Sequence, residues 1–257
     1  MSELKFIEWS GDGPVATVWL NRPPVNATDQ QLYGEIREFF GHVADYLPQA
    51  RVVVLAGRGK HFCAGNDLAD FQTMNPDNAP TQLKLAREAF WAIYDSPFPV
   101  IAAVHGVAVG SGLAIAASCD LVVAAEGARF ATPEVNVGVL GGAKHLSRLV
   151  PQGVVRLMHY TGNLYPAEDL LPYGGIVEIV PEEQLLDVAR ALAQSIARHS
   201  PVTLQLAKRS LNGIEYMELK PGYEFEQGLT RELSAYDDSK EAVNAFLDKR
   251  TPIYTGQ

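Results

Sequence analysis

The 257-residue sequence contains only two cysteines, and its 21 basic residues are outnumbered by 30 acidic ones. Cys63 and Cys119 alone cannot form a disulfide framework, which favours a reducing cytoplasm as the location. A formal charge of −9 and a pI near 5.2 disfavour a nucleic-acid partner, because binding phosphates requires a basic face. The first residues have neither the basic nor the apolar region of a secretory signal, so none is expected.

Long apolar runs are also scarce. Only residues 97–118 are long and apolar enough to suggest a membrane span. Two prolines and three glycines interrupt this segment, and β-branched residues crowd its first half. These features predict a buried strand, a turn and a buried helix. No association with a membrane is therefore expected.

Hydrophobic periodicity predicts strands that alternate with helices early in the chain, followed by helices alone. The strand pattern comprises a hairpin over 3–9 and 14–20 and short buried strands over 51–56, 99–104 and 120–125. Helices are predicted over 29–46 and 80–95, and then over 182–199, 201–212, 221–235 and 239–248. No serine- or glycine-rich linker separates the two parts. The pattern indicates an α/β fold with a helical C-terminal region.

A weak internal repeat links residues 53–68 with residues 101–113. Each segment contains a buried strand, a glycine, a short loop and a step of small residues that opens a helix. Two such units placed side by side would point two helix N-termini at one spot. The first N–H groups of a helix have no acceptor within the helix, so that spot would be rich in donors.

The stretch Ala103-Val-His-Gly-Val-Ala-Val-Gly-Ser-Gly112 belongs to the second unit and has three interpretations. Its glycine spacing, taken with Tyr216 and Lys220, matches that of short-chain dehydrogenases, but more than a hundred residues precede it. Ser111 could be a nucleophile, although the Gly-x-Ser-x-Gly pattern of a nucleophile elbow is absent. Alternatively, small residues let an acyl carbonyl approach backbone N–H groups that form an oxyanion hole.

A series of ordered motifs resembles the enoyl-CoA hydratase/isomerase (crotonase) superfamily over nearly the whole chain. The motifs are Leu20-Asn-Arg-Pro23, Phe62-Cys-Ala-Gly-Asn-Asp-Leu68, the 103–112 stretch, Cys119-Asp-Leu121, Phe130-Ala-Thr-Pro-Glu134, Asp237-Asp-Ser-Lys-Glu241 and Ala245-Phe-Leu-Asp-Lys-Arg250. The resemblance implies a crotonase-like spiral of ββα units over 1–195, holding the acyl-CoA site, and a C-terminal helical trimerisation region over 196–257. It also implies a homotrimer or dimer of trimers, and no cofactor beyond the coenzyme A of the substrate. No metal site is expected.

The resemblance assigns roles to individual residues. The backbone N–H groups of Asn66 and Ser111 would hold the thioester oxygen of an acyl-CoA, and Glu134 would be the base. Hydratases of the family use a second glutamate, and Ala114 stands at its position here. A methyl group transfers no proton, so double-bond isomerisation by one glutamate is preferred to two-glutamate hydration. The expected enzyme is an isomerase or a lyase.

Further residues are assigned by position in the same way. The N–H of Gly142 would face the reacting centre, and His145 could supply a second acid/base group, since its ordinary pKa is near 6.5. A hydratase or hydrolase that uses Lys144 or His145, and a non-catalytic acyl-CoA binder, stay open as alternatives. Asp67, Leu68 and Lys249 would contact coenzyme A. Residues 68–90, including Phe71, Met74 and Phe90, are expected to line the acyl pocket.

Overall fold

A six-stranded sheet lies at the centre of the computed structural model, which describes residues 4–11 and 13–256. Its strands, in spatial order, are β1 (Ile7–Ser10), β2 (Val15–Leu20), β3 (Val52–Gly57), β4 (Val100–Val104), β6 (Leu121–Ala125) and β9 (Glu178–Val180). β1 pairs with β2 in antiparallel fashion, and all the other neighbours are parallel. A second sheet contains β5 (Val107–Val109), β7 (Arg129–Ala131) and β8 (Tyr165–Pro166).

Helices cover both faces of the main sheet and continue alone after it. They are α1 (Gln30–Gly41), α2 (Val43–Tyr46), α3 (Leu68–Gln72), α4 (Ala79–Tyr94), α5 (Ser111–Ser118), α6 (Ala143–Leu146), α7 (Gln152–Thr161), α8 (Ala167–Leu170), α9 (Leu185–Ala197), α10 (Pro201–Ile214), α11 (Leu219–Leu233) and α12 (Asp237–Leu247). Short 3-10 turns span Glu134–Val137, Leu171–Tyr173 and Glu182–Gln184.

The parallel strands are buried on both faces, which explains why they have almost no polar residues. In β3, Val53 and Leu55 pack into the core that contains α1, α4 and α5, whereas Val52 and Val54 pack against α9. The side chains of β4 and β6 alternate between the same two cores. A strand that is buried on both sides is an uninterrupted apolar run, because successive side chains point to opposite faces.

The structure confirms the predicted order of elements, with changes at several boundaries. The early hairpin is present, although Asp12 of its turn lies outside the described residues. The helix predicted over 29–46 is divided at His42, where α1 ends after Gly41, a residue that disfavours helix interiors. Residue 195, at which the predicted core ends, lies inside α9, and that helix continues to Ala197.

The apolar segment 97–118 forms β4, β5 and α5, as predicted. No helix within residues 4–11 and 13–256 is long and apolar enough to cross a membrane. The β4–β5–α5 segment lies next to the loop that follows β3, and this contact forms the site described below.

Candidate active site

Two loops lie side by side where β3 and β5 lead toward their helices. The N–H of Cys63 donates to the carbonyl of Val107 over 3.1 Å, and the N–H of Val109 donates to the carbonyl of Cys63 over 3.1 Å. A Cβ at position 112 would overlap the carbonyl oxygen of Cys63, so only glycine allows this approach. The two segments of the weak sequence repeat therefore pack against each other, as predicted. One detail differs from the prediction. The repeat indicated that the segment around Asn66 opens a helix directly, whereas α3 begins two residues after Asn66.

The backbone N–H groups of Asn66 and Ser111 lie on these two loops. Neither donates a hydrogen bond to another group in the described part of the chain. Ser111 is the first residue of α5, and an N–H in the first turn has no acceptor within its helix. Both residues line the same cleft. The structure thus places side by side the two donors that were expected to form an oxyanion hole.

Glu134 lies against the second of these loops. Its Oε1 is 3.7 Å from the position that a Cβ on Gly110 would take, and 2.7 Å from the corresponding position on Gly142. Its Oε2 is buried and, among the described residues, has no hydrogen-bond partner. Burial raises the pKa of the Glu134 carboxyl above its ordinary value of 4.5. A carboxyl group with these properties is suited to accept and return a proton.

The cleft beside Glu134 has a volume of about 410 Å³ and mainly apolar walls. Met74 and Phe90 line it, as predicted for the acyl pocket, whereas the side chain of Phe71 lies outside the described residues. Ala114 also lines the cleft, at 2% exposure. The position to which the family resemblance assigned a second glutamate therefore lines the cleft, but it presents only a methyl group.

Lys144 and His145 are not among the residues that line this cleft. The Nζ of Lys144 lies over the ring of Tyr216, 3.8 Å from its centroid. The His145 imidazole packs edge-on against Phe90, with ring centroids 5.0 Å apart. Burial, with a smaller contribution from the charge of Arg148, lowers the pKa of His145 to about 4, so the ring is neutral at pH 7. The structure brings neither side chain to Glu134.

Three residues were expected to contact coenzyme A, namely Asp67, Leu68 and Lys249. The Asp67 carboxylate pairs with Arg22 at 2.9 Å, and a hydrogen bond from Arg22 lowers its pKa. The neighbouring Leu68 is 58% exposed. Lys249 is exposed just beyond α12 and does not line the cleft. Their roles toward coenzyme A stay predictions.

Sequence reasoning missed the side chain of Asn66 and the hydroxyl groups behind it. The Asn66 Oδ1 accepts hydrogen bonds from the Tyr33 hydroxyl at 2.5 Å and from the Thr28 hydroxyl at 3.2 Å. Thr28 Oγ1 is also 2.7 Å from Ser111 Oγ. Thr28 and Tyr33 precede Asn66 by 38 and 33 residues, and no motif links these positions. Only the fold shows that they touch.

A larger groove, of about 630 Å³, lies beside α10 and α11. Its basic side chains are already engaged, since Lys208 pairs with Asp120 at 2.8 Å and Arg209 pairs with Glu232. Lys208 also donates to the carbonyl groups of Ile93 and Phe98, which gives it a structural role.

Comparison with known proteins adds to this geometry. Residues 11–257 match the family model described as enoyl-CoA hydratase/isomerase. The chain is 37% identical over 243 residues to the (7aS)-7a-methyl-1,5-dioxo-2,3,5,6,7,7a-hexahydro-1H-indene-carboxyl-CoA hydrolase of Rhodococcus jostii, covering 94% of this chain and 93% of the relative. It is 32% identical over 253 residues to the short-chain-enoyl-CoA hydratase of Clostridium acetobutylicum, covering 96% and 97%. An enoyl-CoA hydratase crystal structure from Geobacillus kaustophilus superposes with a TM-score of 0.91 at 33% identity, covering 100% of each chain.

Proposed function

Because the chain belongs to the enoyl-CoA hydratase/isomerase family and is an acyl-CoA enzyme, we propose that Glu134 is its single acid/base group. The observation that carries this proposal is the unpartnered Oε2 of Glu134, buried beside the free N–H of Ser111. A buried carboxyl oxygen without a partner is costly unless a ligand supplies one.

The chemistry follows from the two donors and the one carboxylate. The thioester oxygen of the acyl-CoA accepts hydrogen bonds from the N–H groups of Asn66 and Ser111. Glu134 takes a proton from the carbon next to the thioester, and the electron pair moves onto that oxygen to give an enolate. Donors aimed at the developing charge stabilise the enolate more than the ground state, which is what accelerates the reaction.

Isomerisation is the net reaction that requires only these groups. Glu134 removes a proton from C2 of a 3-enoyl thioester and returns it to C4. The double bond moves from C3–C4 to C2–C3, and no atom is gained or lost. Ala114 leaves the cleft without the second carboxylate of the hydratase arrangement. The lone glutamate therefore favours isomerisation over two-glutamate hydration.

Hydrolysis is a second candidate, favoured by the name of the relative from Rhodococcus jostii, a carboxyl-CoA hydrolase. Here Glu134 would take a proton from water while the water oxygen bonds to a carbonyl carbon of the acyl group. The bond from that carbon to its leaving group breaks, and the leaving group then takes the proton from Glu134. Lys144 and His145 do not line the cleft, so this version also depends on Glu134.

Three further expectations from the sequence belong to the proposal. The reaction uses no cofactor beyond the coenzyme A of the substrate, because backbone donors and one carboxylate supply the charge stabilisation and the proton transfer. The protein assembles as a trimer or a dimer of trimers in the cytoplasm. Exposed apolar side chains on the C-terminal helices, such as Leu219 at 87% and Phe246 at 83%, support an assembly. Light scattering would measure its mass.

The proposal is tested by product analysis in D₂O. Wild-type protein is incubated with 2-enoyl-, 3-enoyl- and 3-oxoacyl-CoA thioesters of one chain length, and mass spectrometry identifies the products and any deuterium at C2. We expect Glu134→Gln to abolish turnover and exchange, whereas Glu126→Gln, a change at an exposed glutamate, leaves both intact. Exchange that persists in Glu134→Gln would show that another group is the base.

A further inference from the structure

The side-chain amide of Asn66 is fixed in one orientation at the edge of the cleft. Burial raises the pKa of the Tyr33 phenol, so this group stays protonated and donates to Asn66 Oδ1. The Thr28 hydroxyl also donates to Asn66 Oδ1, so two hydroxyl groups face the same atom of the amide. Tyr33 therefore faces the oxygen of the amide, and Nδ2 points the other way.

The Nδ2 of Asn66 is a donor that the protein itself does not use. It makes no hydrogen bond within the described residues, and it is not one of the buried unpartnered atoms. Since Asn66 lines the cleft, this amide is open to a ligand there. The orienting group Thr28 is fully buried and holds Ser111 as well, so the amide is held on the same support as the oxyanion hole.

The spacing of the two donors on Asn66 defines the ligand that they fit. Four bonds join the backbone nitrogen to Nδ2 through Cα, Cβ and Cγ. Four bonds also join the thioester oxygen of an acyl-CoA to an oxygen on C3, through C1, C2 and C3. With the thioester oxygen bound at the backbone N–H, a C3 oxygen is thus as many bonds away as the side-chain amide nitrogen and can reach it.

A second polar group on the cleft wall also lacks a partner among the described residues, which favours a polar ligand over a plain hydrocarbon chain. The Oε1 of Gln82, near the start of α4, is buried and has no hydrogen-bond partner in the described part of the chain. Gln82 lines the same cleft as Asn66, between apolar neighbours such as Leu83 and Ala86. A plain hydrocarbon chain would cover both amides and satisfy neither, which is unfavourable for buried polar groups.

We propose that the Asn66 side chain is a specificity-determining residue that selects acyl-CoA thioesters carrying an oxygen on C3. The backbone N–H of Asn66 binds the thioester oxygen, and Nδ2 donates to the C3 oxygen. Tyr33 and Thr28 are positioning residues, because their hydroxyl groups donate to Asn66 Oδ1 and fix the amide. The inference rests on the proposed acyl-CoA site, and it adds the class of acyl group.

The test compares two ligands that differ only in the C3 oxygen, 3-oxobutanoyl-CoA and butanoyl-CoA. Binding is measured by calorimetry in a Glu134→Gln background, so that no turnover occurs. We expect the 3-oxo ligand to bind about tenfold more tightly, as suits one added hydrogen bond. Asn66→Ala keeps the backbone N–H and should bring the two affinities together. Asn163→Ala, at an exposed asparagine, should keep the preference.

Tyr33→Phe provides a second variant that leaves Asn66 in place. It should reduce the preference for the 3-oxo ligand, because it removes the hydroxyl group that orients the amide. Equal binding of the two ligands by the Glu134→Gln protein, or an unchanged preference in Asn66→Ala, would overturn the inference and leave the acyl-CoA site standing. Failure to bind either ligand would overturn the proposed function as well.

Discussion

Replacing Gly142 by alanine should impair the reaction far more than it impairs the fold. Gly142 has a φ of 70° and a ψ of −30°, a sparsely populated conformation that costs an alanine on the order of 1 to 3 kcal/mol. The added Cβ would lie 2.7 Å from Glu134 Oε1, whereas ordinary contacts begin at 3.4 Å. The carboxylate oxygen must therefore retreat by about 0.7 Å. The carboxylate oxygen ends a flexible side chain, so its movement costs little, and the buried Thr132 Cγ2, which would lie 3.1 Å from the new Cβ, needs to shift by only about 0.3 Å.

The same movement displaces the base from the carbon that it must deprotonate. A misplacement of 1 Å can cost about a hundredfold in rate. We therefore expect kcat for Gly142→Ala to fall between about tenfold and a hundredfold, equivalent to about 1.4 to 2.7 kcal/mol in the activation barrier. KM should change much less, because the oxyanion donors on Asn66 and Ser111 are untouched.

Two control variants distinguish the displacement of Glu134 from a general loss of stability. Gly174→Ala introduces alanine at a φ of 77° with no atom within 4 Å of the new Cβ, so it carries the conformational cost alone. Gly112→Ala would overlap the backbone oxygen of Cys63 and should unfold the protein. Denaturation curves and steady-state kinetics are measured for all three. Gly142→Ala with normal kcat, or with a much larger loss of stability than Gly174→Ala, would refute the reasoning.

Three further outcomes are expected. Because burial raises the pKa of Glu134, the folded protein keeps a proton that the unfolded chain releases above pH 4.5. The free energy of unfolding of the wild type should therefore fall relative to that of Glu134→Gln as pH rises from 4.5. The same pH dependence of the unfolding free energy in both proteins would contradict this. The pKa of His145 is lowered to about 4, so its stabilising effect is present above pH 6.5 and lost as pH falls toward 4. His145→Gln should lack that loss in the same assay and should leave the pH–rate profile near 6.5 unchanged. Ser111→Ala removes one buried hydrogen bond to Thr28 and should cost about 1 kcal/mol of stability while retaining activity within about tenfold. A near-total loss of its turnover would mean that the hydroxyl group reacts.

The part of the site that could be predicted is the part that short segments encode. The strand, glycine and loop pattern around Asn66 and Ser111 repeats within the sequence, so the meeting of the two loops was foreseeable. Glu134 follows a proline in a motif of five residues, and its position could be assigned by resemblance. In both cases the local sequence fixes the local backbone, and the parallel sheet sets the two loops side by side.

The missed contacts depend on packing between distant segments. Thr28 and Tyr33 meet Asn66 only because α1 packs beside the loop after β3, and neither residue belongs to a glycine-rich motif. Lys144 and His145 show that a position near a site residue in the sequence does not guarantee contact with the site. They follow Gly142 by two and three residues, yet α6 is a single turn that directs one side chain onto Tyr216 and the other onto Phe90. A residue that is close in sequence to a site residue need not point its side chain toward the site, because successive side chains on a helix point in different directions.

Two features of the cleft together constrain the reaction. Ala114 stands where a second glutamate was expected, and the Asn66 side-chain amide has a donor that the described part of the protein does not use. Ala114 gives the cleft no glutamate at that position, and the Asp70 carboxyl that also lines the cleft is hydrogen-bonded to Gln30, so every proton transfer is assigned to Glu134. A 3-enoyl thioester has no oxygen on C3 and would leave the Asn66 amide unpaired, whereas a 3-oxoacyl thioester pairs it. Water can also attack the carbonyl carbon at C3. The C2–C3 bond then breaks, and its electrons pass to the thioester enolate. A clear preference for the 3-oxo ligand would therefore favour hydrolysis over isomerisation, and loss of that preference in Asn66→Ala would identify the group responsible.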